Sequence, residues 1–522
     1  RTLISMEMYQ RGSYAVPYLL GQEFMTKPPG YYWSQAASFA LTGSYAEWSA
    51  RLSTGISSAV LLLAHFLFLR KLGWTREDSL LSTAILGSFG AIFRISLLAE
   101  IDMLFTTLTV ISIYFGFFSL WGERRLLYSL IAWTFVALAF LTKGPPILLF
   151  YGGPCIAFSI VLLLYCRKEE RPSLLSSMAI SQSLGFLLCC SLIGLWVWQV
   201  VLELGSEQVW RHLDYQVIQR VTGEGEAHSG RGRGLLFYPK ATIVGTIPWT
   251  PLLLIFAWRF LHREERKRIG SCLFAAEQDK AGKRRPRPWQ PYDLALLFSL
   301  LMLIPCYLGL IATAGKASRY MLPLFPFLSI LCTHSSLGLE VGKGLEKFIS
   351  RLGLFFGTMI ALAALAASGK AVEAAGSKTW GIIAAVSLAL PFALFAWTAW
   401  QKKSNRIYRM AGALTLCIVA ARIPYCLVYA AHRNRSRSPR PIARQIDELV
   451  PEGEKIYILG MYERWICYYL ITLEDRPVLR LTTDHVKTFP EEDEVYLLIN
   501  RDYEEQKVEK LQELDSHCRV LA

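Results

Sequence analysis

Ionisable side chains stand beside the apolar segments of this chain, where burial makes charge costly and a charged residue usually has a purpose. The set comprises Lys27, Arg94, Glu100, Asp102, Lys143, Arg211, Asp214, Arg220, His228, Lys316 and Arg319. Lysine and arginine dominate it, and several cations on one surface suit a phosphate group. A carboxylate beside them could orient or deprotonate a second substrate. The residue types therefore indicate a site for a phosphorylated lipid, provided that the folded chain brings these residues together.

The best candidates also have simpler explanations. Asp102, in LLAEIDMLFTTL, could cap the helix that follows, since aspartate accepts hydrogen bonds from free amides at helix starts, and capping does not exclude catalysis. Lys143, in FLTKGPPILL, could extend its amine to the membrane boundary. Lys316, Arg319 and Tyr320, in TAGKASRYMLPLFP, could anchor a helix at the interface. The placement of these residues at one face favours the phosphate site.

Two further polar residues lie apart from this group. Arg422 occupies the middle of the apolar stretch LTLCIVAARIPYCLVY, and we expect it to pair with backbone carbonyls or a buried acid rather than to act in catalysis. His228, in GEAHSGRG, could ligate a metal ion, although no second histidine stands at ligand spacing nearby. A divalent metal therefore stays an open alternative, and the sequence indicates no other cofactor.

Apolar helices must position these residues. The chain has 522 residues, of which 53% are apolar and 18% are charged, and its mean hydropathy is +0.33. This composition predicts an all-α polytopic membrane protein rather than a soluble one. Stretches of about 20 apolar residues, long enough to cross a bilayer, predict twelve spans. They lie near 48–69, 79–99, 103–121, 126–142, 146–165, 180–202, 241–260, 292–313, 320–339, 352–369, 380–399 and 408–430.

The net charge of +14 is concentrated in alternate loops, most of all in 259–288, which contains HREERKRIG and KAGKRRPRP. Basic loops mark the cytoplasmic side of a membrane protein, and this distribution argues against a nucleic-acid partner. The candidate site then lies on the external face, among membrane lipids. RNRSRSPRPIAR, after the last span, disagrees with this topology, either because a span is miscounted or because its arginines meet anionic headgroups.

The chain outside the spans predicts a second domain. Residues 1–45 read as external helices that lie on the membrane, since ISMEMYQRG has helical spacing and YYWSQAASFALTG is short and amphipathic. Residues 203–240 read as a large external loop. In the tail, KIYILG, VYLLIN and CRVLA predict strands and DYEEQKVEKLQEL predicts a helix. We therefore predict a membrane domain over 1–433 and a small α/β domain over 434–522.

Seven motifs, in order and spacing, resemble the bacterial ArnT-like glycosyltransferases. These group with the dolichyl-phosphate-mannose protein mannosyltransferases of the family 39 type in the GT-C superfamily. The motifs are YAVPYLLGQEFMTKPPGYYWSQAASFALTG, AEWSARLSTGISS, LLAEIDMLFTTLTV, FLTKGPPILL, VIQRVTGEGEAH, FYPKATIVGTIPW and GKASRYMLPLFPFLSIL. The resemblance covers residues 1 to about 340. It implies one membrane helix more than the twelve predicted here, so we expect a helix and the family's principal acid to precede Arg1.

The resemblance implies an enzyme of the inner membrane that takes a sugar from a polyprenyl phosphate carrier on the external leaflet. The sugar would pass, with inversion, to lipid A or another envelope glycan. A protein hydroxyl as acceptor stays an alternative, as does a transporter or flippase of lipid-linked sugars, although no inverted repeat is visible. Asp102 would be the second acid of the site. The donor phosphate would be bound by Lys27, Arg220, Lys316 and Arg319.

Overall fold

The computed structural model describes most of the chain. The described residues are 1–165, 170–213, 234–262, 276–278, 284–286, 290–313, 315–337, 343–401, 406–430, 438–459, 464–481 and 495–498. They divide into two compact units. One unit contains Arg1–Met25, Tyr32–Ala50 and His432–Ala522, and the other contains Thr26–Tyr31 and Arg51–Ala431.

Helices dominate both units. In chain order they are α1 (Thr2–Arg11), α2 (Gly30–Thr42), α3 (Glu47–Lys71), α4 (Arg76–Ser88), α5 (Gly90–Ile95), α6 (Ile101–Trp121), α7 (Arg125–Lys143), α8 (Pro146–Tyr165), α9 (Arg171–Leu204), α10 (Ser206–Leu213), α11 (Phe237–Gly245), α12 (Thr250–Leu261), α13 (Pro291–Ala312), a 3-10 helix (Ser318–Leu324), α14 (Phe325–Leu337), α15 (Lys343–Ala366), α16 (Ser368–Ala375), α17 (Lys378–Trp400), α18 (Arg406–Ala420), α19 (Arg422–Pro424), a π-helix (Tyr425–Ala430), α20 (Arg440–Leu449) and α21 (Arg464–Leu473).

Within the described residues, nine helical segments are long and apolar enough to cross a bilayer. They are Glu47–Lys71, Ile101–Trp121, Arg125–Lys143, Pro146–Leu164, Arg171–Leu204, Pro291–Ala312, Ser318–Leu337, Lys378–Trp400 and Gly412–Tyr429. The prediction of an all-α, multi-pass membrane protein is therefore confirmed. Nine of the twelve predicted spans correspond to these helices.

Two of the other three predicted spans are wrong as continuous membrane helices. The span 79–99 is interrupted between α4 and α5, and the span 241–260 is interrupted between α11 and α12. The two interruptions lie against each other, since the Gly90 amide donates to the Ile247 carbonyl at 3.2 Å. Pro248 lacks an amide hydrogen and cannot continue a helix normally. The third span, 352–369, coincides with the apolar stretch Ser350–Ala366 of the continuous helix α15, and it stays a prediction as a membrane span.

The side chain of His65 is buried and joins four helices of the unit that contains Arg51–Ala431. The sequence analysis did not identify this residue. His65 Nδ1 lies 2.6 Å from the Tyr114 hydroxyl, which connects α3 to α6. His65 Nε2 lies 3.1 Å from Ser82 Oγ of α4 and 3.2 Å from Ser329 Oγ of α14. Since buried polar atoms are costly without partners, these bonds favour one register of the four helices.

The other unit joins both ends of the chain. Gly12, at φ 71°, ends α1 in the left-handed conformation that glycine adopts most readily. The Gln35 side-chain amide of α2 donates to the Ala50 carbonyl at 2.8 Å. Glu47, at the start of α3, accepts a 2.5 Å bond from Arg440 of α20 and a 2.9 Å bond from the Tyr469 hydroxyl of α21. Residues 434–522 as an independent domain stay a prediction, and these contacts tie part of that segment to the first 50 residues.

Short strands complete both units. They are β1 (Tyr18–Leu19), β2 (Gln22–Glu23), β3 (Ala276–Gln278), β4 (Arg284–Pro286), β5 (Ile456–Leu459), β6 (Val478–Leu481) and β7 (Tyr496–Leu498). The first four form two antiparallel pairs, and the last three form a parallel sheet in the order β6-β5-β7. The strands predicted in KIYILG and VYLLIN are confirmed as β5 and β7. DYEEQKVEKLQEL and CRVLA lie outside the described residues.

Candidate active site

Two helix ends place an acid and a lysine in contact. Asp102 lies in the first turn of α6 and is 1% exposed, and Lys143 is the last residue of α7. Lys143 Nζ is 2.5 Å from Asp102 Oδ1. An acid near a helix start and a cation at a helix end both complement the helix dipoles. This pair forms because α6 and α7 are successive helices joined by a short connection at their opposite ends.

The capping explanation of Asp102 is wrong, and Lys143 has a partner within the protein. The cap position of α6 belongs to Glu100, whose side chain makes no capping bond, so Asp102 is not the N-cap. Its carboxylate instead faces a cation, and only its carbonyl serves the helix by accepting from Thr106 Oγ1 at 2.7 Å. Lys143 is only 9% exposed, and its amine pairs with Asp102. Both charges are committed to a buried ion pair.

A second cation approaches the same carboxylate from the loop after α13. Arg319, in the 3-10 helix, places Nε 3.8 Å from Asp102 Oδ2, and its side chain is 43% exposed. Asp102 Oδ2 accepts no hydrogen bond from the described residues, although the atom is buried. Lys316 lies three residues earlier and is 8% exposed. This burial favours a role for Lys316 in the site over a role as an anchor at the membrane interface. The carboxylate is therefore held between cations and keeps one oxygen able to accept a bond.

Aromatic rings enclose the lysine of this pair. Lys143 Nζ lies 4.8 Å from the ring centroid of Tyr320 and 5.0 Å from that of Phe105. Cation–π contacts of this kind contribute about 0.5–2 kcal/mol each, with the larger values in desolvated sites. The sequence analysis included Tyr320 but missed Phe105, whose signal was its position one helical turn after Asp102. These rings restrict the lysine amine to the neighbourhood of the carboxylate.

The turn that carries Lys27 packs on the same end of α7. Gly30 opens α2, and a Cβ atom on it would lie 2.9 Å from the Leu141 carbonyl oxygen and 3.0 Å from Thr142 Oγ1. Only glycine allows such a close approach to backbone. Lys27, which is half-buried, therefore belongs to a turn seated one or two residues from Lys143 along α7.

We expect Gly30→Ala to displace this turn and to lower activity about tenfold, because positional errors of about 1 Å cost that much or more in a preorganised site. The added methyl group would meet backbone atoms, which cannot rotate away. Gly194→Ala is the matched control, since a Cβ there has no neighbour within 4 Å. Turnover of both variants should be measured at equal protein level. Equal activity in the two would show that the close approach has no effect on the site.

The structure places the remaining predicted candidates in less detail. Arg94 is exposed on α5 and makes no ion pair with any described residue. Glu100 is half-buried at the start of α6. Arg220, His228 and Asp214 lie outside the described residues, as does the side chain of Arg211. The predicted metal site at His228 therefore stays a prediction. The described part of the chain contains no group of three or more His, Cys, Asp or Glu side chains that could hold a metal ion.

The expected structural role of Arg422 is confirmed. Its Nη2 donates to the Gly87 carbonyl at 2.8 Å, and its guanidinium lies 5.1 Å from the ring centroid of Phe93. Both contacts fall at the interruption between α4 and α5, where a helix end leaves carbonyl groups without partners. Arg422 thus stabilises the broken helix.

The helix ends that carry basic residues lie opposite the cluster of Asp102, Lys143 and Arg319. Helix α7 begins with Arg125 and ends at Lys143, and α6 runs from the cluster to the connection that contains Arg124. Lys71 at the end of α3 donates to the Tyr128 hydroxyl at 2.6 Å, so it shares the basic end. Each helix is about 30 Å long at 1.5 Å per residue, which separates the two ends by roughly the thickness of a bilayer core.

Comparison with known proteins agrees with this architecture. The family model of the dolichyl-phosphate-mannose-protein mannosyltransferases matches residues 26–196, which include Lys27, Asp102 and Lys143. A protein of Pectobacterium carotovorum, named undecaprenyl phosphate-alpha-4-amino-4-deoxy-L-arabinose arabinosyl transferase, is 25% identical over 470 residues, 88% of this chain and 75% of the relative. A protein of the same name from Pseudomonas paraeruginosa is 28% identical over 271 residues, 50% of this chain and 46% of the relative.

The fold has a counterpart among solved structures. The crystal structure of ArnT from Cupriavidus metallidurans bound to undecaprenyl phosphate matches 92% of this chain and 80% of its own, with a TM-score of 0.63 and 15% identity. The predicted resemblance to ArnT and to this mannosyltransferase family is therefore confirmed. The chain spans 46% of the Pseudomonas paraeruginosa relative and 59% of one from Pseudomonas aeruginosa.

Proposed function

We propose that this ArnT-like chain is a membrane glycosyltransferase that moves a sugar from a polyprenyl phosphate carrier to lipid A or another envelope glycan. The observation that carries the proposal is the buried carboxylate of Asp102, held between Lys143 and Arg319 at one end of a membrane bundle. Lys27 and Lys316 lie on segments that reach the same end. Such an excess of cations over carboxylates suits a phosphate more than a metal ion.

The chemistry requires little proton transfer at the donor. The bond between the anomeric carbon and the phosphate oxygen breaks, and its electron pair leaves with the phosphate. Cations stabilise the charge that develops there, and they act strongly where water is excluded. Lys27, Lys316 and Arg319 supply this charge in the proposal. The acceptor oxygen attacks the anomeric carbon from the opposite face, so the sugar is transferred with inversion.

Asp102 serves the acceptor in this proposal. Its Oδ2 can accept a hydrogen bond from an acceptor hydroxyl and so orient or help deprotonate it. An acceptor phosphate is already nucleophilic and needs orientation alone. Lys143 supplies the opposite charge to the buried carboxylate and holds its Oδ1 in place. The two roles are therefore separate, since Lys143 acts through Asp102 whereas Asp102 meets substrate.

The proposed site faces the outside of the inner membrane. Support comes from the helix ends, since Arg124, Arg125 and Lys71 lie opposite the Asp102 cluster and basic ends mark the cytoplasmic side. The names of the curated relatives further support an undecaprenyl phosphate donor that carries 4-amino-4-deoxy-L-arabinose. We propose a donor of this class, which is long and apolar apart from its phosphate and sugar.

Transfer from undecaprenyl phosphate-linked 4-amino-4-deoxy-L-arabinose to lipid A, in membranes that contain the full chain, tests the proposal. We expect Lys27→Ala and Lys316→Ala to raise the KM for the donor about tenfold or more, since hydrogen bonds to charged groups contribute about 1.5–3 kcal/mol. Lys71→Ala removes a lysine from the opposite end and should leave this KM unchanged. No transfer by the wild-type chain to lipid A, to other envelope glycans or to peptide hydroxyls would contradict the proposed activity.

A further inference from the structure

The proposed role of Asp102 requires that a substrate reach its second carboxylate oxygen, Oδ2. In the structure this oxygen is buried, and it accepts no hydrogen bond from the described residues. The side chain of Asp102 is 1% exposed, and Lys143 holds its other oxygen, Oδ1, at 2.5 Å. An acceptor hydroxyl therefore cannot meet Oδ2 until a neighbouring group moves away.

Arg319 is a loosely held neighbour of this oxygen. Its Nε lies 3.8 Å from Oδ2. Hydrogen bonds between nitrogen and oxygen seldom exceed about 3.2 Å, so this contact is an ion pair without a hydrogen bond. The side chain of Arg319 is 43% exposed, whereas that of Lys143 is 8% exposed. Of the two cations paired with Asp102 in the described part of the chain, Arg319 is thus the one that is free to move.

The backbone of Arg319 is anchored, so its movement is a rotation of the side chain. The residue belongs to the 3-10 helix Ser318–Leu324, in which Met321 is fully buried and Leu322 is 1% exposed. An arginine side chain has a flexible stem and carries five N–H donors on a planar group. Rotation of this stem is enough to move the guanidinium off the carboxylate while the 3-10 helix stays in place.

The donor phosphate offers the guanidinium a stronger partner. Arginine binds phosphate through two parallel charge-assisted hydrogen bonds. The contact with Asp102 lacks a hydrogen bond, and ion pairs with a partly exposed partner contribute little stability. Lys143 stays on Oδ1, so the carboxylate keeps an opposite charge when Arg319 leaves. Exchange of the carboxylate for the phosphate therefore favours Arg319 and does not leave Asp102 without a cation.

We propose that Arg319 couples the two substrates, because the donor phosphate draws its guanidinium away from Asp102 and so opens Oδ2 to a hydroxyl group of the acceptor. The inference rests on the proposed function and adds an order to it, in which the donor binds before the acceptor. The acceptor then meets its carboxylate when a sugar is already in place. An acceptor bound to Oδ2 also keeps the guanidinium available to the phosphate, so each substrate strengthens the binding of the other.

Binding of lipid A to the full chain in lipid nanodiscs, with and without undecaprenyl phosphate, tests this coupling. Undecaprenyl phosphate carries the phosphate but no sugar, so no transfer takes place. We expect it to raise the affinity for lipid A about tenfold, which lies within the usual range of coupling between two sites. Lipid A should raise the affinity for undecaprenyl phosphate by the same factor, since such coupling is reciprocal. Undecaprenol, which lacks the phosphate, should leave the affinity for lipid A unchanged.

Arg319→Ala should abolish the coupling, because it removes the group that we infer to cover Oδ2. We expect this variant alone to bind lipid A about as tightly as the wild-type chain binds it with undecaprenyl phosphate. Its affinity for undecaprenyl phosphate should fall, since a phosphate-binding group is lost. A purely structural role of Arg319 would instead lower the affinity for both lipids. Arg125→Ala, at the opposite end of the bundle, is the matched control and should keep the coupling.

The outcomes separate the coupling from the proposed function. If the wild-type chain transfers the sugar but binds lipid A no better with undecaprenyl phosphate than without it, the coupling is overturned and the function stands. Coupling that persists in Arg319→Ala also overturns the inference, because another group would then control access to Oδ2. If the wild-type chain shows the coupling and Arg319→Ala loses it, the inference stands even without transfer. Failure of the wild-type chain to bind lipid A in the presence of undecaprenyl phosphate contradicts the coupling.

Discussion

Asp102→Asn is expected to lower kcat for sugar transfer about 100-fold, the lower end of what a positioned acid or base contributes. Asparagine keeps the size of aspartate but lacks the charge that Lys143 and Arg319 face. It also replaces an accepting oxygen by an amide that donates, so Oδ2 is no longer an assured acceptor for substrate. The measurement is transfer from the lipid-linked donor at saturating concentration, at matched protein level.

A second buried aspartate supplies the control for this variant. Asp78 accepts a 2.7 Å bond from Thr75 Oγ1 and a bond from the Tyr292 hydroxyl, at the basic end of the bundle. We expect Asp78→Asn to reduce the yield of folded protein while kcat per folded molecule stays near the wild-type value. A kcat for Asp102→Asn equal to that of Asp78→Asn would remove Asp102 from the mechanism.

The sequence predicted helix positions correctly wherever a membrane span is one continuous helix. Length and hydropathy are enough to find α6, α7 and α13, because a bilayer needs about 20 apolar residues in one helix. The breaks at Gly90 and Pro248 could not be found in this way. The interruptions gain partners from distant segments, through the bond from the Gly90 amide to the Ile247 carbonyl and the bond from Arg422 to the Gly87 carbonyl. Their stability is a tertiary effect, and the apolar composition of both segments hides it.

The candidate site was predictable as a set of residue types and less so as a set of contacts. Loop positions and charge suggested that Asp102, Lys143 and Arg319 share a face. The pairing of Asp102 with Lys143 rather than with helix amides depends on the register of α6 against α7, which no local pattern encodes.

The contacts between the first 50 residues and the C-terminal segment also could not be predicted from the sequence. A change of composition near residue 434 suggested a separate tail, and β5 and β7 agree with that pattern. The pairing of Glu47 with Arg440 joins residues almost 400 positions apart, so no local signal marks it. Tyr469 shares the same carboxylate, and desolvation by burial, followed by the hydrogen bond to Glu47, raises the pKa of its hydroxyl.

Lys143→Met is expected to destabilise the folded chain by about 3–5 kcal/mol, the usual cost of removing one partner from a buried ion pair. Of the cations in the described part of the chain, Asp102 would keep Arg319, whose Nε is 3.8 Å from the carboxylate and whose side chain is partly exposed. The double variant Asp102→Leu with Lys143→Met should regain most of this stability, because an apolar pair of similar volume often replaces a buried ion pair at little cost. Thermal denaturation of the purified chain in detergent measures both effects.

Transfer activity should not return with the stability of the double variant, and this difference separates the two roles of the pair. Leucine offers no oxygen to an acceptor and no charge opposite Arg319, so we expect activity near background although the bundle is intact. Activity that recovers together with thermal stability would mean that the pair only holds α6 against α7. Stability that fails to recover would instead mean that Asp102 and Lys143 have other essential partners in the fold.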